Sequence, residues 1–132
     1  MLLFCYGSLE FDEVMREVTG RSFAAEPATL EGFARYRVRE ADYPGLLPEP
    51  GAHTDGTLYR ALDAASLAEL DRFEGALYER RMLDVRTPDG GRASAQVYVV
   101  REAHRHTLSR EPWDKQAFAR ESLSGFVRRL RG

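Results

Sequence analysis

At 132 residues the chain is long enough for one domain with a real core and hardly for two, so a single domain over 1–132 is expected. A formal net charge of −2 gives no basic excess for nucleic acid or an anionic membrane, and no apolar run approaches transmembrane length. One cysteine excludes an intrachain disulfide framework, and Met1-Leu-Leu-Phe4 lacks the basic flank and cleavage site of a signal peptide, which points to a cytoplasmic protein.

Leu2 to Tyr6 is a short continuous apolar run and reads as a buried strand. It runs into Gly7-Ser8-Leu9, after which Phe11, Val14, Met15 and Val18 give a helical stripe that Gly20 can stop. A strand, a glycine turn and a helix start gather free backbone N–H groups at one spot. Such a turn binds carboxylates or developing oxyanions, although any strand-to-helix turn with a glycine has these features.

Thr29 to Arg39 reads as a strand with a bulge at Gly32, where the alternation slips. Gly56 to Leu62, Leu77 to Thr87 and Ala93 to Val100 are further strands, the last two joined by a turn at Pro88-Asp-Gly-Gly91. Asp114 to Arg131 reads as one final helix with Phe118, Leu123, Phe126, Val127 and Leu130 inward. Strands interrupted by short helices suggest an α+β fold.

The segment Asp63 to Gly75 holds the most informative residue. Asp63 can cap a helix there, Ser66 and Glu69 offer a fallback capping box, and Gly75 suits its end. Leu67, Leu70 and Phe73 define the buried face, and at about 100° per residue Glu74 falls inside the same arc. Burial and the negative end of the helix dipole would both raise the pKa of Glu74 into the range where a carboxyl group takes and gives protons near neutral pH. The plainer alternative is an acid that bends to solvent or pairs with Arg80 or Arg81.

Other chemistry-bearing residues are weaker candidates. Cys5 lies mid-strand with no histidine nearby in sequence and reads as a core thiol. His104 and His106 lack a third ligand at metal spacing and read as a solvated loop. Pro112 and Trp113 read as packing at a helix entry. Tyr43 and Tyr78 lean toward a pocket, Tyr98 toward packing.

Tyr6-Gly-Ser-Leu9 after an N-terminal strand, with Phe73-Glu-Gly75 followed by Tyr78 and Arg80, resembles the gamma-glutamylcyclotransferase-like (AIG2-like) family. Tyr43-Pro-Gly-Leu-Leu-Pro48 and Gly56-Thr-Leu-Tyr59 extend the resemblance, which covers roughly residues 1 to 100. It implies a small mixed β-barrel with helices packed outside. It further implies that Tyr6, Gly7, Ser8 and Leu9 hold the α-amino-acid end of a γ-glutamyl group, with Tyr43 and Tyr78 in the pocket and Glu74 as general acid/base. The implied reaction closes the γ-glutamyl group to 5-oxoproline and releases an amine or amino acid, with no metal or organic cofactor. The second hypothesis is a non-catalytic barrel that binds small carboxylated ligands or a partner. A desolvated acid on an apolar helix face favours the enzyme, because a binding module gains nothing from it.

Overall fold

The computed structural model describes residues 1–132. Six strands, β1 (Leu3–Cys5), β2 (Ala25–Val38), β3 (Pro44–Tyr59), β4 (Tyr78–Arg86), β5 (Arg92–Val100) and β6 (Leu108–Pro112), form one mixed sheet. Pairing runs β3-β1-β5-β4-β2, and β2 returns to β3, which closes a five-stranded barrel; β6 attaches outside the ring on β2. Only β1 and β5 run parallel, and every other pairing is antiparallel. Four helices, α1 (Asp12–Thr19), α2 (Ala64–Glu74), α3 (Lys115–Glu121) and α4 (Leu123–Arg131), accompany the barrel, giving an α+β fold.

The side-chain alternation of the strands builds two cores. Phe4, Tyr6, Leu30, Leu46, Leu58, Val85, Val97 and Val99 form one cluster. Leu3, Cys5, Tyr98 and Val100, the intervening residues of β1 and β5, join Val14, Met15, Leu67, Leu70 and Val127 of the helices in the other. β1 is therefore buried on both faces, which is why it reads as an unbroken apolar run rather than an alternating one.

Several sequence expectations change here. β3 starts at Pro44, twelve residues before the expected Gly56. Pro44, Pro48, Pro50 and two glycines make this stretch read as loop, yet it pairs along β2 from Pro44↔Arg37 to Pro48↔Phe33. The register then jumps to Glu31↔His53, so that Gly32 alone faces residues 49–52 and the prolines fall at the strand start and beside the bulge. β2 begins at Ala25, four residues early, and β6 was not expected at all. Asp63 stands at the N-cap of α2, but its carboxylate makes no capping hydrogen bond; it lies 3.3 Å from Arg21.

The final helix is two helices, broken at Ser122. In one straight helix Phe118 and Phe126, eight residues apart, would be turned about 80° from each other. The break lets both pack, with ring centroids 5.6 Å apart. Trp113 joins them 5.5 Å from Phe118 and donates its indole N–H to the Asp42 carbonyl (2.8 Å), consistent with packing at the helix entry.

Candidate active site

β1 ends where α2 ends. After Cys5 the chain passes Tyr6 and Gly7 into a short 3-10 turn, Ser8–Glu10, before α1 begins. The carbonyls of Tyr6 to Leu9 each already accept a hydrogen bond. Tyr6 O takes one from the Arg35 guanidinium (2.8 Å), Gly7 O from Glu10 N–H (3.0 Å), Ser8 O from Phe11 N–H (3.2 Å) and Leu9 O from the Tyr59 hydroxyl (2.7 Å). The N–H groups of Gly7, Ser8 and Leu9 take no part in the bonds that close the turn. The turn is thus fixed through its acceptors and leaves its donors over, the polarity that suits an anion.

Gly7 is required here by close approach. Its φ of −130° is not a left-handed value, so no positive φ calls for glycine. A Cβ at this position would instead lie 2.9 Å from the Pro44 ring. Gly45 is tighter, since a Cβ there would lie 2.3 Å from Val100. The Tyr78 hydroxyl donates to the Pro44 carbonyl (2.6 Å), so Tyr78, Pro44 and Gly7 form one packed wall.

A cavity of about 320 Å³ opens against this wall, within the size range of small-molecule sites. Tyr6, Gly7, Ser8, Leu9, Tyr43, Glu74 and Tyr78 all line it, so the structure brings the seven sequence-selected site residues together. Tyr43 is 37% exposed, whereas Tyr78 is buried. Tyr98 also lines the cavity, contrary to a purely packing role, and its hydroxyl donates to Asp71 (2.7 Å).

Glu74 is the last residue of α2, and Gly75 ends the helix with a positive φ of 71°. The Glu74 carboxyl keeps some accessible surface because it faces the cavity, while surrounding protein removes most of its hydration. Burial pushes its pKa up to about 8. Burial is the cause, and neither arginine offsets it. Arg80 is engaged with Asp71 (2.9 Å), which also accepts from Tyr98, and Arg81 is exposed on β4. The same burial pushes up Tyr78, with the Glu74 charge contributing next.

A family model described as gamma-glutamyl cyclotransferase, AIG2-like, matches residues 3–115. The chain belongs to that family. AIG2-like protein C of Arabidopsis thaliana is 29% identical over 126 residues, covering 95% of this chain and 73% of that protein. AIG2-like protein D of the same plant is 27% identical over 128 residues, covering 96% and 84%. Among solved structures, an AIG2-like protein from Mus musculus superposes with a TM-score of 0.65 at 25% identity, covering 86% of this chain and 85% of that one. A gamma-glutamyl cyclotransferase superposes with a TM-score of 0.66 at 15% identity, covering 100% and 86%, which is a likeness of fold.

Other residues of this AIG2-like chain resolve around the cavity. Cys5 lines it, but burial, then Glu74 and Glu10, push the thiol well above its usual range, so it is no thiolate nucleophile. His104 and His106 have ring centroids 6.4 Å apart, and no group of three His, Cys, Asp or Glu side chains is placed to hold a metal.

Sequence reasoning missed Arg35 and Tyr59, which grip the turn from β2 and β3. It also missed Glu10, whose side chain is only 4% exposed beside Arg35, Lys115 and Thr57. Arg35 is one of several charged residues on β2, with Glu26, Glu31 and Arg37, so its charge alone did not single it out. The partners of Tyr59 and Glu10 become visible only with the barrel closed. Phe126 and Leu130 were expected inward, but not as cavity walls.

Proposed function

We propose that this protein is a gamma-glutamyl cyclotransferase that converts a γ-glutamyl amide to 5-oxoproline and a free amine or amino acid. The observation that carries the reading is one cavity holding a buried carboxyl, raised to about 8, together with a turn held through its carbonyls, whose N–H groups take no part in closing it. In this reading the turn at Gly7, Ser8 and Leu9 fixes the α-carboxylate or the γ-carbonyl oxygen, and Tyr43 and Tyr78 confine the glutamyl chain.

The substrate's α-ammonium gives a proton to the Glu74 carboxylate. The freed amine attacks the γ-carbonyl carbon, and a C–N bond forms to close a five-membered ring. The bond to the leaving nitrogen then breaks as Glu74 returns the proton to that nitrogen. The new ring nitrogen still carries two protons and gives one to the Glu74 carboxylate, which passes it to the departing amine, so the products are the neutral lactam and an ammonium. Atoms and charge balance with no oxidant, water or co-reactant. A carboxyl raised to about 8 is a much closer match to an ammonium than an ordinary carboxylate is, so proton transfer in either direction costs less. Because nucleophile and electrophile belong to one molecule, effective molarity supplies much of the acceleration, and the cavity has only to fold the substrate and relay protons from the ring nitrogen to the leaving nitrogen.

The test is incubation of the purified protein with γ-glutamyl amino acids and amines, following 5-oxoproline. Its release supports the cyclotransferase. Binding of these compounds without any release would assign the barrel to ligand binding alone.

A further inference from the structure

The cavity is lined by two unlike sets of residues. One set is the Gly7 to Leu9 turn, the tyrosines and Glu74. The other is Phe73, Leu77, Phe126 and Leu130. Phe126 and Leu130 belong to α4, beyond residues 3–115 that the family model matches, so this wall is not given by family membership. It is also preformed. The Phe126 ring is held edge-on by Phe73 at 6.2 Å and by Phe118 at 5.6 Å.

No arginine, lysine or histidine lines the cavity, and Glu74 is its only carboxyl group. The nearby cations have other partners. Arg80 is paired with Asp71 (2.9 Å), Arg101 donates to the Ala76 carbonyl (3.1 Å) and Arg131 lies against Glu17 (2.6 Å). Arg129 stacks on Phe126 at 5.7 Å, but its guanidinium is engaged by Asp42 (3.3 Å). A leaving group with its own carboxylate would lose its hydration with no cation to replace it, in a cavity that already holds an acid. A leaving group with a second ammonium would lose its hydration against two phenylalanines and two leucines.

We infer that the leaving group of the γ-glutamyl substrate is an uncharged, apolar amine of a few carbons, seated against Phe73, Leu77, Phe126 and Leu130. This rests on the cyclotransferase reading and narrows its substrate class. The volume of about 320 Å³ must also hold the glutamyl group, which keeps the amine small.

The experiment compares kcat/KM for 5-oxoproline release from four substrates: γ-glutamyl isopentylamide, γ-glutamyl benzylamide, γ-glutamylglycine and Nε-(γ-glutamyl)lysine. The two apolar amides are expected to exceed the glycine and lysine conjugates by about 10- to 100-fold, the discrimination an apolar pocket supplies. Leu130→Ala should lower kcat/KM for the isopentylamide more than for γ-glutamylglycine, shrinking that preference. Equal or faster turnover of the glycine or lysine conjugate would overturn the apolar subsite while leaving the cyclotransferase standing. Absence of 5-oxoproline from all four would overturn the cyclotransferase reading itself, and the subsite with it. The comparison among substrates of the unaltered protein decides the matter even if Leu130→Ala fails to fold.

Discussion

Glu74→Gln should make the protein more stable, and increasingly so as pH rises. The folded-state carboxyl is raised from 4.5 to about 8, so between these values the folded protein binds a proton that the unfolded chain has lost. Unfolding stability therefore falls as pH rises through this window, by up to ~1.4 kcal/mol per pH unit. The cost is absent below about pH 4.5 and complete above about pH 8. The interval corresponds to a ceiling of ~5 kcal/mol, and access of water to the cavity reduces this to about 2–4 kcal/mol. Glutamine is nearly isosteric and neutral, so the variant lacks this slope. Glu10, also raised by burial, is present in both proteins and cancels in the difference. Urea unfolding of both proteins at pH 5, 7 and 9 measures the effect, as midpoints that coincide at pH 5 and separate at pH 9. Midpoints that stay parallel across all three pH values would refute the claim that Glu74 is held neutral by burial.

Three further outcomes follow from the same geometry. Gly7→Val should abolish binding of γ-glutamyl ligands in calorimetric titration, because the added atoms meet the Pro44 ring at 2.9 Å and displace the turn; binding equal to the parent would remove the turn from the site. Gly45→Ala should destabilise the fold by about 1–3 kcal/mol, since its Cβ would lie 2.3 Å from Val100; an unchanged denaturation midpoint would contradict this. The pH profile of kcat/KM should be bell-shaped, with an acid limb near pH 8 set by Glu74. Activity falls on the acid side as Glu74 and the amine are both protonated, and on the alkaline side as both lose the proton needed by the leaving nitrogen. A profile flat from pH 6 to 9 would count against Glu74.

Local signals made much of this molecule legible. The unbroken apolar run of β1, the stripe of α1 ended by Gly20, and the β4–β5 hairpin are each encoded within a few residues. Glu74 was legible as a conflict, an acid on an apolar arc, because helical period and burial pattern can be read together. β3 was misread because its prolines and glycines carry loop signals, and only the long pairing partner β2 overrides them. The break at Ser122 was passed over because the apolar stripe runs through it, although Ser122, Ser124 and Gly125 are weak helix-interior residues; it serves the contact between Phe118 and Phe126. The grip of Arg35 and Tyr59 on the turn spans 29 and 50 residues of chain, respectively, beyond the reach of any local pattern.

The central claim is that Glu74 moves the proton in a reaction held by the Gly7 to Leu9 turn. Its most direct test measures 5-oxoproline release and γ-glutamyl ligand affinity side by side in the parent and in Glu74→Gln. Affinity should be retained within a few-fold and turnover reduced by about 10²–10⁴-fold, the contribution of a general acid/base. Turnover by Glu74→Gln at the parent's rate would contradict that role for Glu74.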